Sequence, residues 1–292
     1  MKILITGSDG FLGQKLMSSL SGEYETYGTS RRISQQYQNR FPLEILDERN
    51  VSDLIGFLQP NVLIHTAALV NVEECEKERE RAYRLHVEVT RNLSQICKKA
   101  HIKMIYFSTD YVFSGKEDGY SKESDKDPLN YYGKTKSIGE EVIKKRLEDY
   151  VIIRPTWLYG FNSFNDKNNF MLKVLNGGKI SLDNQRVKYP ILIEDISAMV
   201  KDIINTNYRG IVHVSGNEAI TKYNFALRIR EVFNMPEDNI FKSEQMEPNR
   251  PINVRLLENW KRVHGLNEGI EWVKKQIEEL KEKNNENENN QI

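Results

Sequence analysis

The segment YYGKTK, Tyr131 to Lys136, sets a phenol and an ammonium group four residues apart. On a helix, Tyr132 and Lys136 then project from one face, while Tyr131 is spaced with Thr135 instead. A cation beside a phenol favours phenolate. Lys136 is therefore expected to lower the Tyr132 pKa from about 10 and make it a general acid or base nearer neutral pH. Upstream, STDYVFSG (Ser108 to Gly115) follows an apolar run that starts near Ile102. A hydroxyl at the end of such a strand can bond a substrate carbonyl oxygen and orient the phenol. Thr109 is the better placed, with Ser108 in reserve.

Such a device has meaning only beside a nucleotide site, and GSDGFLG supplies a candidate. Gly7, Gly10 and Gly13 directly follow the apolar run KILIT and open a helical pattern. Glycines there let the turn tighten and let a pyrophosphate approach the main chain, with the helix N-terminus presenting N–H groups to the anion. About 20 residues on, where a carboxylate would bind the ribose hydroxyls of NAD, stands GTSRR. Arg31, with Arg32 beside it, favours a 2′-phosphate and hence NADPH, with NADH as the alternative. Asp47 suits either the adenine amino group or a helix N-cap.

These residues need elements to hold them. Strand and helix patterns alternate over the first 155 residues. Strands are expected near 24–29, within 42–47, and at 62–65, 102–108 and 151–155. Helices are expected near 51–58, 80–100 and 131–149. That order predicts an α/β doubly wound parallel sheet of Rossmann type over 1–155, with elements from about 190–215 returning to it. A smaller α/β substrate lobe is expected over 156–283, above the carboxyl ends of the sheet. Thr221 is a plausible N-cap there. The Asn/Glu/Lys-rich tail from 284 has little to bury and is expected to be disordered.

The 42 basic and 42 acidic side chains cancel, which points away from nucleic acid and anionic membrane. No apolar run approaches a membrane span. Cys75 and Cys97 make neither a disulfide framework nor a metal spacing, so no metal is expected. A reducing, cytoplasmic setting follows.

With these motifs in order, the chain resembles the extended short-chain dehydrogenase/reductases, and within them the dTDP-4-dehydrorhamnose reductase family. STDYVFSG, YYGKTKSIGE, IHTAALVNVEECE, IIRPTWLYG and NRPINVRL carry the resemblance. It implies Thr109, Tyr132 and Lys136 as the catalytic set. It also implies cofactor contacts from Gly7, Gly10, Phe11, Leu12, Gly13, Ser30, Arg31, Asp47, Ala67, Ala68, His86, Tyr132 and Lys136. Val72, Asp110, Tyr111 and Trp157 would meet a nucleotide-linked 4-keto-6-deoxy sugar, whose C4 ketone NADPH would reduce. His86 stands where such enzymes carry an asparagine that holds the lysine through water; it would either take over that task or pack structurally. YGKTK, GTSRR and HVSGNEAITKY are also similar to the regulatory β subunit of methionine adenosyltransferase, which implies a cofactor-binding partner subunit instead. Nucleotide-sugar epimerases are a third relation. Relatives often dimerise, so a homodimer is a further expectation.

Overall fold

The computed structural model describes residues 1–31, 39–164, 166, 169–243, 245, 248–260 and 263–289, with 284–289 as main chain. Arg32 lies outside the described residues.

Unalternating apolar runs build the centre of the molecule's first unit. KILIT, VLIH and KMIYF form β1 (Lys2–Thr6), β4 (Val62–His65) and β5 (Lys103–Phe107), and every residue of β4 and β5 is buried. Burial on both faces is what a parallel sheet covered by helices demands. β2 (Glu25–Ser30), β3 (Arg40–Pro42), β6 (Tyr150–Pro155) and β11 (Gly210–Val214) complete a seven-stranded parallel sheet in the order β11-β6-β5-β4-β1-β2-β3. The order reverses between β1 and β4, so the crevice beyond their carboxyl ends is where such sheets bind ligands.

Among the helices of this unit are α1 (Phe11–Leu20), α2 (Glu48–Leu58), α3 (Val72–Lys77), α4 (Arg79–Tyr83), α5 (Val89–Ala100) and α6 (Tyr131–Arg146). Leu63, Leu93, Met104, Tyr106 and Ile143 are among the side chains of the core between sheet and helices. The unit comprises 1–155, 197–214 and 248–260.

The second unit comprises 156–196, 215–247 and 261–292. It holds β7 (Leu158–Tyr159), α7 (Phe170–Leu175), β8 (Ile180–Asp183), β9 (Val187–Lys188), β10 (Ile191–Leu192), β12 (Ile220–Thr221), α9 (Lys222–Val232), β13 (Ile240–Ser243) and α10 (Leu266–Asn289). Tyr159, Phe225, Ile229, Ile270 and Val273 pack in its core. Helix α8 (Ile193–Asn205) starts in this unit and passes into the first at Ser197. Thr221 caps α9, its hydroxyl accepting the Asn224 N–H.

Three expectations about elements need correction. The third strand is Arg40–Pro42, ahead of the apolar PLEIL run that suggested it, because Leu43 onward turns to cap α2. The helix expected over 80–100 is present, running unbroken through α4, a wide π-turn at Arg84–Glu88, and α5, with α3 ahead of it. Residues 248–260 return to the first unit, which sequence spacing did not indicate. The tail is helical to Asn289 rather than disordered from 284. Extension of a helix already anchored by burial avoids the nucleation cost.

Candidate active site

The glycine turn sits at the reversal point. Gly7 has φ +74°, and a Cβ there would lie 2.7 Å from the Ala67 nitrogen in the loop after β4. No side chain fits, so the cradle is shaped by bare main chain. Gly7 and Ser8 N–H groups both donate to the Thr29 carbonyl. Gly10 is the N-cap of α1, with no side-chain cap bond. Phe11 and Leu12 begin that helix, and Gly13 is buried on it. Asp9 within the turn is neutralised by the buried Arg40 of β3.

Beside the turn lies a cleft of about 190 Å³ that gathers Gly7, Ser30, Arg31, Ala67 and Ala68. Five of the expected cofactor residues thus share one wall system. Bare glycine main chain, an N-terminal helix end, a hydroxyl and an exposed guanidinium fit a phosphorylated dinucleotide. Asp47 takes the capping role open to it: its carboxylate accepts the Asn50 main-chain N–H at 3.1 Å and the Asn50 side-chain amide at 2.7 Å. Arg81 and Leu85 also line the cleft.

The acid-base group stands on α6. Asn130 caps this helix, accepting the Gly133 N–H at 2.8 Å. A Cβ on Gly133 would run into the Tyr111 carbonyl oxygen. The glycine inside YYGKTK therefore lets the helix close on the turn at Asp110–Val112. That contact brings Tyr132 against the turn that carries Thr109. Thr109 is buried, and its oxygen also accepts the Tyr111 N–H at 3.2 Å. Ser108, held in reserve, is turned the other way and donates to Glu140.

The expected pKa relation is reversed. Burial raises the Tyr132 pKa; the Thr109 hydrogen bond opposes this and the nearby Asp110 adds to it. Burial likewise lowers the Lys136 pKa to about 7, against the pull of Glu140. Desolvation penalises either charged form and is the largest cause of both shifts. Lys136 Nζ sits 4.0 Å from the centre of the Tyr106 ring.

Beneath the pair is a buried polar network. Arg154 of β6 grips Glu140 of α6 through two bonds, at 2.9 and 2.8 Å, and Lys126 reaches the same carboxylate at 3.1 Å. These cations hold the Glu140 carboxyl below its usual range despite burial. Arg154 also donates to His213 of β11 at 3.2 Å.

His86 does not line the cleft beside the glycine turn. It is 1% exposed, and both ring nitrogens are engaged. Nε2 accepts the Leu69 N–H at 3.0 Å, so Nδ1 carries the proton and donates to Thr135 at 2.7 Å. Thr135 in turn donates to the Tyr131 and Tyr132 carbonyls at 2.9 and 3.0 Å. Burial lowers the His86 pKa to about 3. The neutral ring pins the loop after β4 to the helix bearing Tyr132.

Of the expected substrate contacts, Asp110 is buried beside Thr109, and Tyr111 meets Tyr132 edge-on with ring centres 6.1 Å apart. Val72 is buried at the start of α3. Trp157 belongs to the second unit, packed edge-on against Phe170 and Phe225. Sequence reading missed Asn130 and Gly133. A cap residue three positions before a glycine within a helix start was the available signal.

Comparison with known proteins places this arrangement. The family model described as RmlD substrate binding domain matches residues 1–279. Mouse methionine adenosyltransferase 2 subunit beta is 29% identical over 274 residues, covering 87% of this chain and 80% of that protein. The Bacillus subtilis spore coat polysaccharide biosynthesis protein SpsK is 29% identical over 232 residues, covering 79% and 78%. Among solved structures, dTDP-4-dehydrorhamnose reductase from Bacillus anthracis in complex with NADP superposes with a TM-score of 0.83 at 27% identity, covering 94% and 98%.

Proposed function

This chain belongs to the family of the RmlD substrate binding domain, and from that premise we propose that it is an NADPH-dependent reductase of a nucleotide-linked 4-keto-6-deoxy sugar. What carries the proposal is one juxtaposition. Tyr132 stands edge-on to Tyr111, on the turn that carries Thr109, in the unit that also holds the glycine cradle and the Arg31 cleft.

Gly7, Gly10 and Gly13 would bind the pyrophosphate, Ser30 and Arg31 the 2′-phosphate, and Ala67 and Ala68 the adenosine half. NADPH, when bound, supplies the hydride for the ketone carbon. Thr109 hydrogen-bonds the carbonyl oxygen and steadies its developing negative charge. Tyr132, held neutral by its raised pKa, donates its proton to that oxygen. Lys136, whose pKa burial lowers to about 7, acts in its already protonated form, whose charge offsets the phenolate left on Tyr132. Val72, Asp110, Tyr111 and Trp157 remain proposed sugar or nucleotide contacts.

The test is a panel of dTDP- and GDP-linked 4-keto sugars with NADPH and NADH, run beside Tyr132→Phe. One sugar should turn over, and the variant should lose roughly 10²–10⁴-fold in kcat with NADPH affinity retained. Undiminished turnover in Tyr132→Phe rules out the proton-donor role. The mouse relative favours a second reading, a cofactor-binding regulatory subunit. NADPH binding without turnover of any sugar, together with co-purification of an adenosyltransferase, would select it.

A further inference from the structure

Arg81 is the second guanidinium in the cleft that holds Arg31, and its surroundings differ from those of Arg31. It stands on α4, one helical turn before Leu85, which lines the same cleft. Its Nη1 donates to Glu74 of α3 at 2.9 Å and to Glu78 at 2.8 Å. Both hydrogens of that nitrogen are therefore committed to carboxylates. Nε and Nη2 make no hydrogen bond to a described residue, and the side chain remains 37% exposed. Leu43, Leu46, Ala68 and Leu85 give the cleft apolar wall, which they share with Thr29, Ser30 and Glu44.

The charge balance decides what this group can recognise. Two carboxylates within hydrogen-bonding distance more than neutralise one guanidinium, so the local field does not attract a further anion. What remains available is a rigid plane with spare N–H donors. That suits a flat, uncharged, hydrogen-bond-accepting ring against apolar walls. Arg31 carries no such carboxylate clamp among the described residues and suits the phosphate. We propose that Arg81 is an adenine-recognising residue, stacking on or donating to the base of the bound dinucleotide while Glu74 and Glu78 hold its plane in position.

The proposal rests on the dinucleotide assignment above, and the experiment separates the two. NADPH and NADH are titrated into wild type, Arg81→Ala, Arg81→Lys and Arg31→Ala, following nucleotide fluorescence at two salt concentrations. Circular dichroism checks that each variant is folded. Arg81→Ala should weaken both nucleotides by about tenfold, by the same factor and with little salt dependence. Arg81→Lys should not restore affinity, because an ammonium group lacks the plane. Arg31→Ala should weaken NADPH alone. Unchanged affinity in Arg81→Ala would make Arg81 a surface ion-pair residue, and loss confined to NADPH would make it a phosphate ligand; either overturns the proposal. Failure of wild type to bind both nucleotides would instead remove the dinucleotide assignment.

Discussion

At the scale of single residues, His86 shows how a buried titratable group can serve by staying neutral. Its two ring nitrogens join Leu69 to Thr135, one residue before Lys136. Protonation would break the bond from the Leu69 N–H, so the folded state resists it. With a folded pKa near 3 against 6.5, the unfolded chain binds the extra proton first as pH falls. Stability attributable to this group is intact above about pH 6.5 and is lost progressively down to about pH 3. Urea unfolding at pH 7 and pH 4 should show wild type losing up to about 3 kcal/mol more than His86→Gln. Parallel losses in the two proteins would mean the ring titrates freely. Spacing in the sequence could place His86 on a helix but could not tell a relay from a staple. That choice depends on which atoms lie opposite each nitrogen.

At the scale of elements, α6 matters because it is anchored at three levels. Asn130 caps it and also donates to the Asn249 carbonyl at 3.0 Å. Gly133 lets it touch the turn after β5. Glu140 ties it to Ser108 of that same β5 turn, to Arg154 of β6, and through Arg154 to His213 of β11. Replacing one partner of a buried ion pair leaves the other charge unpaired. Glu140→Gln is therefore expected to cost about 3–5 kcal/mol in chemical denaturation. A cost under about 1 kcal/mol would show that Lys126 and water compensate. The helix itself was legible, since its apolar positions, its Tyr-x-x-x-Lys pair and its basic last turn all lie within one local stretch. The Glu140 network was not, because its members are separated by up to 105 positions, from Ser108 to His213, and carry no periodic signal.

At the scale of the whole molecule, the chain does not divide where its motifs do. The first unit needs β11 and residues 248–260 as well as 1–155. β11 pairs with β6 along Val151–Pro155. Tyr120 exchanges main-chain bonds with the late segment, its N–H donating to Arg255 and its carbonyl accepting from Leu257. A fragment ending at Pro155 would expose the β6 edge and leave Arg154 without His213. Such a fragment is expected to lack a cooperative unfolding transition, as read by circular dichroism through a denaturant series. A sharp transition in the fragment would show that the sheet is complete without the returning segments.

The sequence by itself determined the alternating architecture, the glycine turn, and the pairing of Tyr132 with Lys136, since each depends on residue type and short-range spacing. Only the tertiary structure decided that Ser108 turns from the site, that Asp47 caps a helix, that Arg81 enters the cleft, and that Lys136 does not lower the phenol's pKa. Each of these depends on burial and on neighbours distant in the chain. Desolvation in particular is a property of the enclosed site, and no local spacing records it.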